Sequence, residues 1–178
     1  MKRCLVVVDY QNDFVEGSLG FEGAKDLDLY IYNKIMEYVK NNDDVFFTLD
    51  THTEDYLQTE EGKKLPVVHC VKDTYGYQLY GYTSNLRNIA QKVFEKDTFG
   101  SLELAHYLRD NRYKEITFCG LVSNICVFSN AVLTKNACKD AKIIVDASIV
   151  GSNDLEMQEK SFDVLENLHI DVINRKRG

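Results

Sequence analysis

The sequence has one proline, Pro66, and no tryptophan among 178 residues. No stretch rich in Pro, Gly or Ser interrupts it, so nothing marks a linker, and residues 1–178 are expected to form a single domain. No apolar run approaches the ~18 residues needed for a membrane-crossing helix, which predicts no membrane partner. Positive charge is in deficit, with 21 Lys and Arg against 28 Asp and Glu, a net charge of −7. That balance weighs against nucleic acid and anionic lipid, which both reward clustered cations. Five cysteines form no close pairing motif, which fits a reducing compartment better than a disulfide framework, so the cytoplasm is expected. The opening MKRCLVVVDY reaches Asp9 too soon for a secretory apolar region.

What is present is an alternation. RCLVVVDY, DVFFTLD, QKVFEK, EITFCGL, AKIIVDAS and IDVINR read as short buried strands. Between them, DLDLYIYNKIMEYVKNN, SLELAHYLRDNR, SNICVFSNAVLTKNACK and NDLEMQEKSFDVLENLH carry apolar residues at three- and four-residue spacing. β-Branched runs separated by amphipathic helices predict an α/β fold: a single-domain, doubly wound, Rossmann-like parallel sheet with helices on both faces. The polar, tyrosine-rich stretch from Thr51 to about Leu86 is longer than an ordinary connection and is expected to be functional or to hold a small element of its own.

In a parallel sheet all strands end at one edge, and ligands bind outside it. Asp9 ends the first strand, Asp50 the second and Lys96 the third, and Cys126 follows the fourth. Each has an ordinary reading alone: a small buried thiol, a loop-anchoring carboxylate, a solvated lysine. Together they make an acid/base, a cation and a nucleophile on one rim. Cys126 sits at the start of a helical pattern, where helix-start N–H groups and a nearby lysine are expected to favour its thiolate. Cys4, Cys119 and Cys138 lie among apolar neighbours and read as core residues; His106 and His169 read as structural.

The motifs VVVDYQNDF, DTH, LPVVHC, FEKDTFGS and CGLVSNICV resemble the isochorismatase-like cysteine hydrolases, the superfamily that includes nicotinamidases. The resemblance implies that Asp9, Lys96 and Cys126 form a catalytic triad. It also implies a cis peptide at Val122–Ser123 and an oxyanion hole from the backbone amides of Val122 and Cys126. Phe14 and Gln11 are implied as substrate-facing. The implied reaction is hydrolysis of a small amide through a thioester, with nicotinamide yielding nicotinic acid and ammonia, in a homo-oligomeric enzyme.

DTHTEDYLQTEEGKKLPVVHC holds Asp50, His52, Glu61 and His69. Carboxylate and imidazole donors suit a divalent metal, zinc first, with manganese or iron as alternatives. Asp50, His52 and His69 match the nicotinamidase pattern. The usual second histidine is absent, and Glu61 stands in for it with Glu60 as rival. The family's tryptophan wall is also missing, so the tyrosines of residues 74–82 either replace it or serve loop packing or a subunit contact. Two other classes compete. A phosphoacceptor signalling domain shares the acidic strand ends and the lysine but needs neither Cys126 nor the histidine loop. A catalytically silent interaction protein would leave Cys126 inert to alkylation.

Overall fold

The computed structural model describes residues 2–176. Six strands form one sheet: β1 Arg3–Val8, β2 Asp44–Asp50, β3 Lys92–Lys96, β4 Glu115–Leu121, β5 Lys142–Gly151 and β6 Asp171–Ile173. Their order is β3-β2-β1-β4-β5-β6, and every pairing is parallel. The chain thus builds outward from β1 to β3, returns to lay β4 against the other side of β1, and builds outward again. The strand order reverses between β1 and β4, and a crevice opens there at the strands' C-terminal ends.

Side-chain alternation divides the interior into two layers. On β1, Cys4, Val6 and Val8 point into one core, and Leu5 and Val7 into the other. Helices α5 (Leu102–Asp110), α6 (Phe128–Ala137) and α7 (Leu155–Asn167) cover the first layer. Its centre is aromatic, with Phe46 edge-on to Phe94, Tyr107 and Tyr113 at 5.5 to 5.9 Å. Complete burial of one such ring contributes about 1.5–3 kcal/mol. Helix α2 (Leu27–Lys40) covers the second layer by burying Ile31, Ile35 and Tyr38, the stripe its spacing predicts.

The long stretch after β2 is built rather than loose. It contains a 3₁₀ turn at Tyr56–Gln58, α3 at Glu60–Lys64, α4 at Gly81–Ser84 and a second 3₁₀ turn at Arg87–Ile89. These elements run three to five residues, too short for periodicity to disclose. Another four-residue helix, α1 (Asn12–Val15), follows β1. The buried carboxylate of Asp28 accepts hydrogen bonds from the amides of Tyr82 and Thr83 at 2.7 and 3.0 Å and so fixes α4. The tyrosines are spent on packing: Tyr75 donates to Glu16, Tyr77 donates to Glu95, Tyr80 meets Tyr10, and Tyr82 meets Tyr32. They do not replace the missing wall. Strand β5 runs to Gly151, three residues past its expected end, because its register with β4 shifts between Phe118 and Gly120.

Gly120 is required where it stands. Its φ is +104°, and a Cβ there would lie 2.1 Å from the Val8 carbonyl oxygen. Gly120→Ala therefore pushes on the end of β1, one residue before Asp9. Overpacking and backbone strain each cost about 1–3 kcal/mol. Thermal unfolding of the purified variant is expected to show a midpoint lowered by roughly 5–15 °C; a fall under ~2 °C would contradict this account of the β1–β4 contact.

Candidate active site

The strand ends deliver their side chains to one rim in the order of the sheet. Lys96 comes from β3, Asp50 and His52 from the end of β2, Asp9 from β1, and Cys126 from the turn after β4. Asp9 has a φ of +44°, uncommon for a residue with a side chain, and it turns the chain as β1 ends. Its Oδ1 accepts a 2.6 Å hydrogen bond from Thr48 Oγ1, and its Oδ2 lies 2.6 Å from Lys96 Nζ. Lys96 Nζ also contacts Asp50 Oδ1 at 3.2 Å and the Thr98 carbonyl at 2.9 Å, with Cys126 Sγ at 3.8 Å. All four of these side chains are buried.

Burial disfavours the Lys96 ammonium, but the carboxylates of Asp9 and Asp50, with the Cys126 sulfur where it ionises, outweigh it and raise its pKa well above the ordinary lysine value. Burial raises the pKa of Asp9, with Lys96 opposing and Asp50 adding to the rise. Asp50 is also buried, yet Lys96, His52 and His69 hold it below the usual carboxylate range. Of the two carboxyls, Asp9 is therefore the one suited to take up a proton. The thiol of Cys126 departs from the sequence expectation. Burial pushes it well up, Lys96 pulls it down, and Asp9 and Asp50 push it up again. Cys126 does lie at a helix start, in a π-helical turn, Ser123–Val127, that runs directly into α6, but it is buried there. The exclusion of water and the two nearby carboxylates both favour the thiol over the thiolate.

The cis peptide lies one bond earlier than expected, at Leu121–Val122 instead of Val122–Ser123. Ser123 is fully buried, and its Oγ donates to Gln158 Oε1 at 2.8 Å, away from the thiol. Val122 and Cys126 both line the cleft. Gln11 does not face it. Its Nε2 donates to the carbonyls of Asp50 and Tyr77 at 2.9 and 2.8 Å, and its Oε1 accepts from the Asp50 amide at 2.8 Å. Its amide is consumed in fixing the end of β2, which corrects the substrate-facing expectation. Phe14 does face the cleft, with its ring edge-on to His69 at 5.5 Å.

Beside the lysine, Asp50 Oδ2 stands 3.0 Å from His52 Nε2 and 3.3 Å from His69 Nε2. One donor atom from each of these three buried residues lies within 4.8 Å of the other two. Glu61 Oε1 is 3.9 Å from His52 Nε2 and 4.0 Å from His69 Nε2. Thr59 caps α3 by accepting from the Gly62 amide, and the helix turns Glu61 toward the imidazoles, while Glu60 points outward to Lys63. Between the two glutamates the geometry thus favours Glu61.

This donor set fits a divalent cation. His69 Nδ1 lies 2.7 Å from the Val67 carbonyl, a partner that only an N–H can satisfy, and the neutral ring then presents its Nε2 lone pair to the cluster. The carboxylates of Asp9, Asp50 and Glu61 outnumber the one ammonium, leaving two negative charges for a divalent ion to match. Burial lowers the pKa of His69, but Asp50, the Val67 carbonyl and Glu61 raise it further. Burial and Asp50 push Glu61 up. Both directions mark a corner that attracts positive charge.

Sequence reasoning missed several residues that hold this geometry. Asp13 Oδ2 accepts from the Cys70 amide at 2.7 Å, just after His69, where Cys70 takes a φ of +46°. Asn130 donates to the carbonyls of Cys126 and Phe99 and accepts from the Ser101 amide, tying the thiol's turn to the segment after β3. Only Asp13 left a signal, as the second carboxylate of DYQNDF. His106 and His169 are exposed and lie outside the cluster.

The cleft encloses about 170 Å³. Phe14, Leu19, Phe21, Leu65, Phe99 and Ile125 form its apolar walls, with Asp50, Glu61, His69, Cys126 and Asn153 as its polar side chains. That volume is below the ~300–1,000 Å³ of drug-sized sites and suits a ligand of about one ring.

Comparison with known proteins agrees with this architecture. An isochorismatase family protein, PncA of Bacillus subtilis, is 31% identical over 163 residues, covering 85% of this chain and 87% of that protein. The crystal structure of nicotinamidase/pyrazinamidase PncA from Bacillus subtilis superposes with a TM-score of 0.86 at 28% identity, covering 97% of this chain and 99% of that one. The pyrazinamidase of Pyrococcus horikoshii, solved in complex with zinc, shares the fold with a TM-score of 0.85 at 22% identity, covering 98% and 100% of the two chains. The isochorismatase domain model matches residues 3–177, and the chain belongs to that family.

Proposed function

We propose that the protein hydrolyses nicotinamide to nicotinic acid and ammonia through a thioester on Cys126. It is an amidohydrolase acting on a C–N bond. The observation that carries the reading is the buried Asp9–Lys96–Cys126 cluster opening into a one-ring cleft beside an Asp–His–His corner. Asp9 takes the thiol proton, and Sγ adds to the amide carbonyl. The backbone amides of Val122 and Cys126 are the proposed donors to the resulting oxyanion. The C–N bond then breaks as Asp9 returns the proton to the departing nitrogen, giving ammonia. Water, deprotonated by the same carboxylate, cleaves the thioester to the acid and restores the thiol. Lys96 stays charged throughout and offsets the negative charge that moves between Asp9 and Sγ.

Asp50, His52, His69 and Glu61 would hold a divalent ion, with zinc the best match to two imidazoles and carboxylates and manganese or iron also suited. When bound, it supplies a Lewis-acidic point for a ring nitrogen. Phe14 offers an aromatic surface for the ring. A second reading, hydrolysis of another small amide, draws support from the walls, which are apolar without being specific to a pyridine. No helix among the described residues is long and apolar enough to cross a membrane. We place the activity in the cytoplasm, in keeping with five unpaired cysteines, and in a homo-oligomer.

Ammonia release from a panel of small amides tests the reaction. Cys126→Ala is expected to lose at least about 10³-fold in rate with little change in melting temperature. Cys119→Ala, buried in the second core layer, is expected to lower the melting temperature and keep the chemistry. The opposite pattern would assign the nucleophile wrongly.

Lys96→Met removes the one cation that lowers the Cys126 pKa. Iodoacetamide labelling of Cys126, followed by mass spectrometry at fixed pH, is expected to slow by about tenfold or more. An unchanged rate in folded protein would remove Lys96 from the site.

Protein purified without chelators is expected to carry roughly one transition-metal ion per chain. Binding needs neutral imidazoles, so occupancy is full at neutral to alkaline pH and falls as acidification protonates them. Elemental analysis across pH reads this directly. His52→Ala should lose the metal yet keep a Cys126 that alkylates. Absence of metal, with no response to added zinc, would shift the preference to amides lacking a ring nitrogen.

A further inference from the structure

The rim order places one pocket residue where the proposed chemistry has no use for it. The Asp–His–His corner hangs from the end of β2 and Asp9 from β1; Cys126 follows β4, and Asn153 lies two residues past β5. Adjacent strands are ~4.8 Å apart, so Asn153 approaches the cleft from the far side of Cys126 relative to the acidic corner.

Its setting is built. Ser152 Oγ accepts from the Asp154 amide at 3.0 Å, and Asp154 Oδ1 caps α7 by accepting from the Met157 amide at 2.9 Å. Both flanking side chains are thus committed to the turn and fix the backbone that carries Asn153. A methyl group on Gly151 would lie 3.2 Å from the Phe21 ring, so that ring covers the end of β5 and walls the cleft beside Asn153. The Asn153 carboxamide lines the cleft, is exposed, and has no hydrogen-bond partner among the described residues. It is the one uncharged polar amide among apolar walls, with both a donor and an acceptor to offer.

We propose that Asn153 is a specificity-determining residue that hydrogen-bonds a polar substituent on the substrate edge remote from the acidic corner. The inference rests on the amide-hydrolase reading. It extends the substrate class beyond nicotinamide to one-ring carboxamides with a further hydrogen-bonding group, a ring hydroxyl or its oxo tautomer, which it favours over alkylated rings.

Calorimetric binding to zinc-loaded Cys126→Ala protein tests this without turnover. The probes are nicotinamide and its hydroxyl and methyl derivatives at each free ring carbon. For at least one position the hydroxyl compound is expected to bind roughly 3–10-fold tighter than its methyl counterpart, the range of one net hydrogen bond. Adding Asn153→Leu should reduce that ratio to one or below, while Asn153→Gln should keep part of it. A matching melting temperature shows that the variants are folded. A hydroxyl preference at no position, or one that survives Asn153→Leu, overturns the inference. Wild-type ammonia release from nicotinamide separates the two claims. Release without a hydroxyl preference sinks only the role of Asn153, whereas no binding of any probe sinks both.

Discussion

Lys96 Nζ lies 2.6 Å from Asp9 and 3.2 Å from Asp50, almost out of reach of water. A buried ammonium persists only when its lost hydration is replaced, and here two carboxylates and the Thr98 carbonyl replace it. The contact ties β3 to β1 and β2 at the edge where the cleft opens. It also constrains the protons. One cation shared by two carboxylates cannot hold both equally low, and the imidazoles beside Asp50 decide that Asp9 is the more basic. The polarity of the site, with a proton acceptor next to the thiol and a permanent anion next to the histidines, follows from that asymmetry.

The same constraint works against a preformed thiolate. A further negative charge beside Asp9 and Asp50 in a buried space is disfavoured by more than Lys96 alone offsets. Charge separation then waits for a substrate. An arriving carbonyl gives the electrons of sulfur somewhere to go as its proton moves to Asp9. A resting thiol also resists oxidation and stray alkylation.

The sheet, its parallel sense and the convergence of Asp9, Asp50, Lys96 and Cys126 on one rim were legible in the sequence, because continuous β-branched runs separated by amphipathic helices mark parallel strands, whose polar ends all fall on one edge. The walls were not legible. Leu19, Phe21, Phe99 and Ile125 come from turns where apolar residues have no period to betray them. The burial of the thiol was not legible for a different reason. Helix position is local and visible in sequence, whereas burial by residues more than a hundred positions away is not, and burial dominates. Gln11 shows the same limit: its motif is conspicuous, but its amide is spent on the backbone of Asp50 and Tyr77.

That use of Gln11 exposes a division of labour in DYQNDF. Asp9 faces the thiol, Gln11 clamps the end of β2, Asn12 donates to the Tyr75 carbonyl at 2.7 Å, Asp13 holds the Cys70 amide, and Phe14 lines the cleft. Five of six consecutive residues thus position both halves of the site, the proton-transfer half directly and the metal half through the backbone on either side of His52 and His69. The proton-transfer half comes from β3, β1 and the turn after β4, and the metal half from β2 and a long connection, yet their spacing is set by hydrogen bonds to one short segment. A substitution at Asn12 or Asp13 therefore acts on the imidazole corner without touching it. Its effect should appear in ligand affinity before it appears in the reactivity of Cys126, because Lys96 and Asp9 are anchored independently through Thr48 and Thr98.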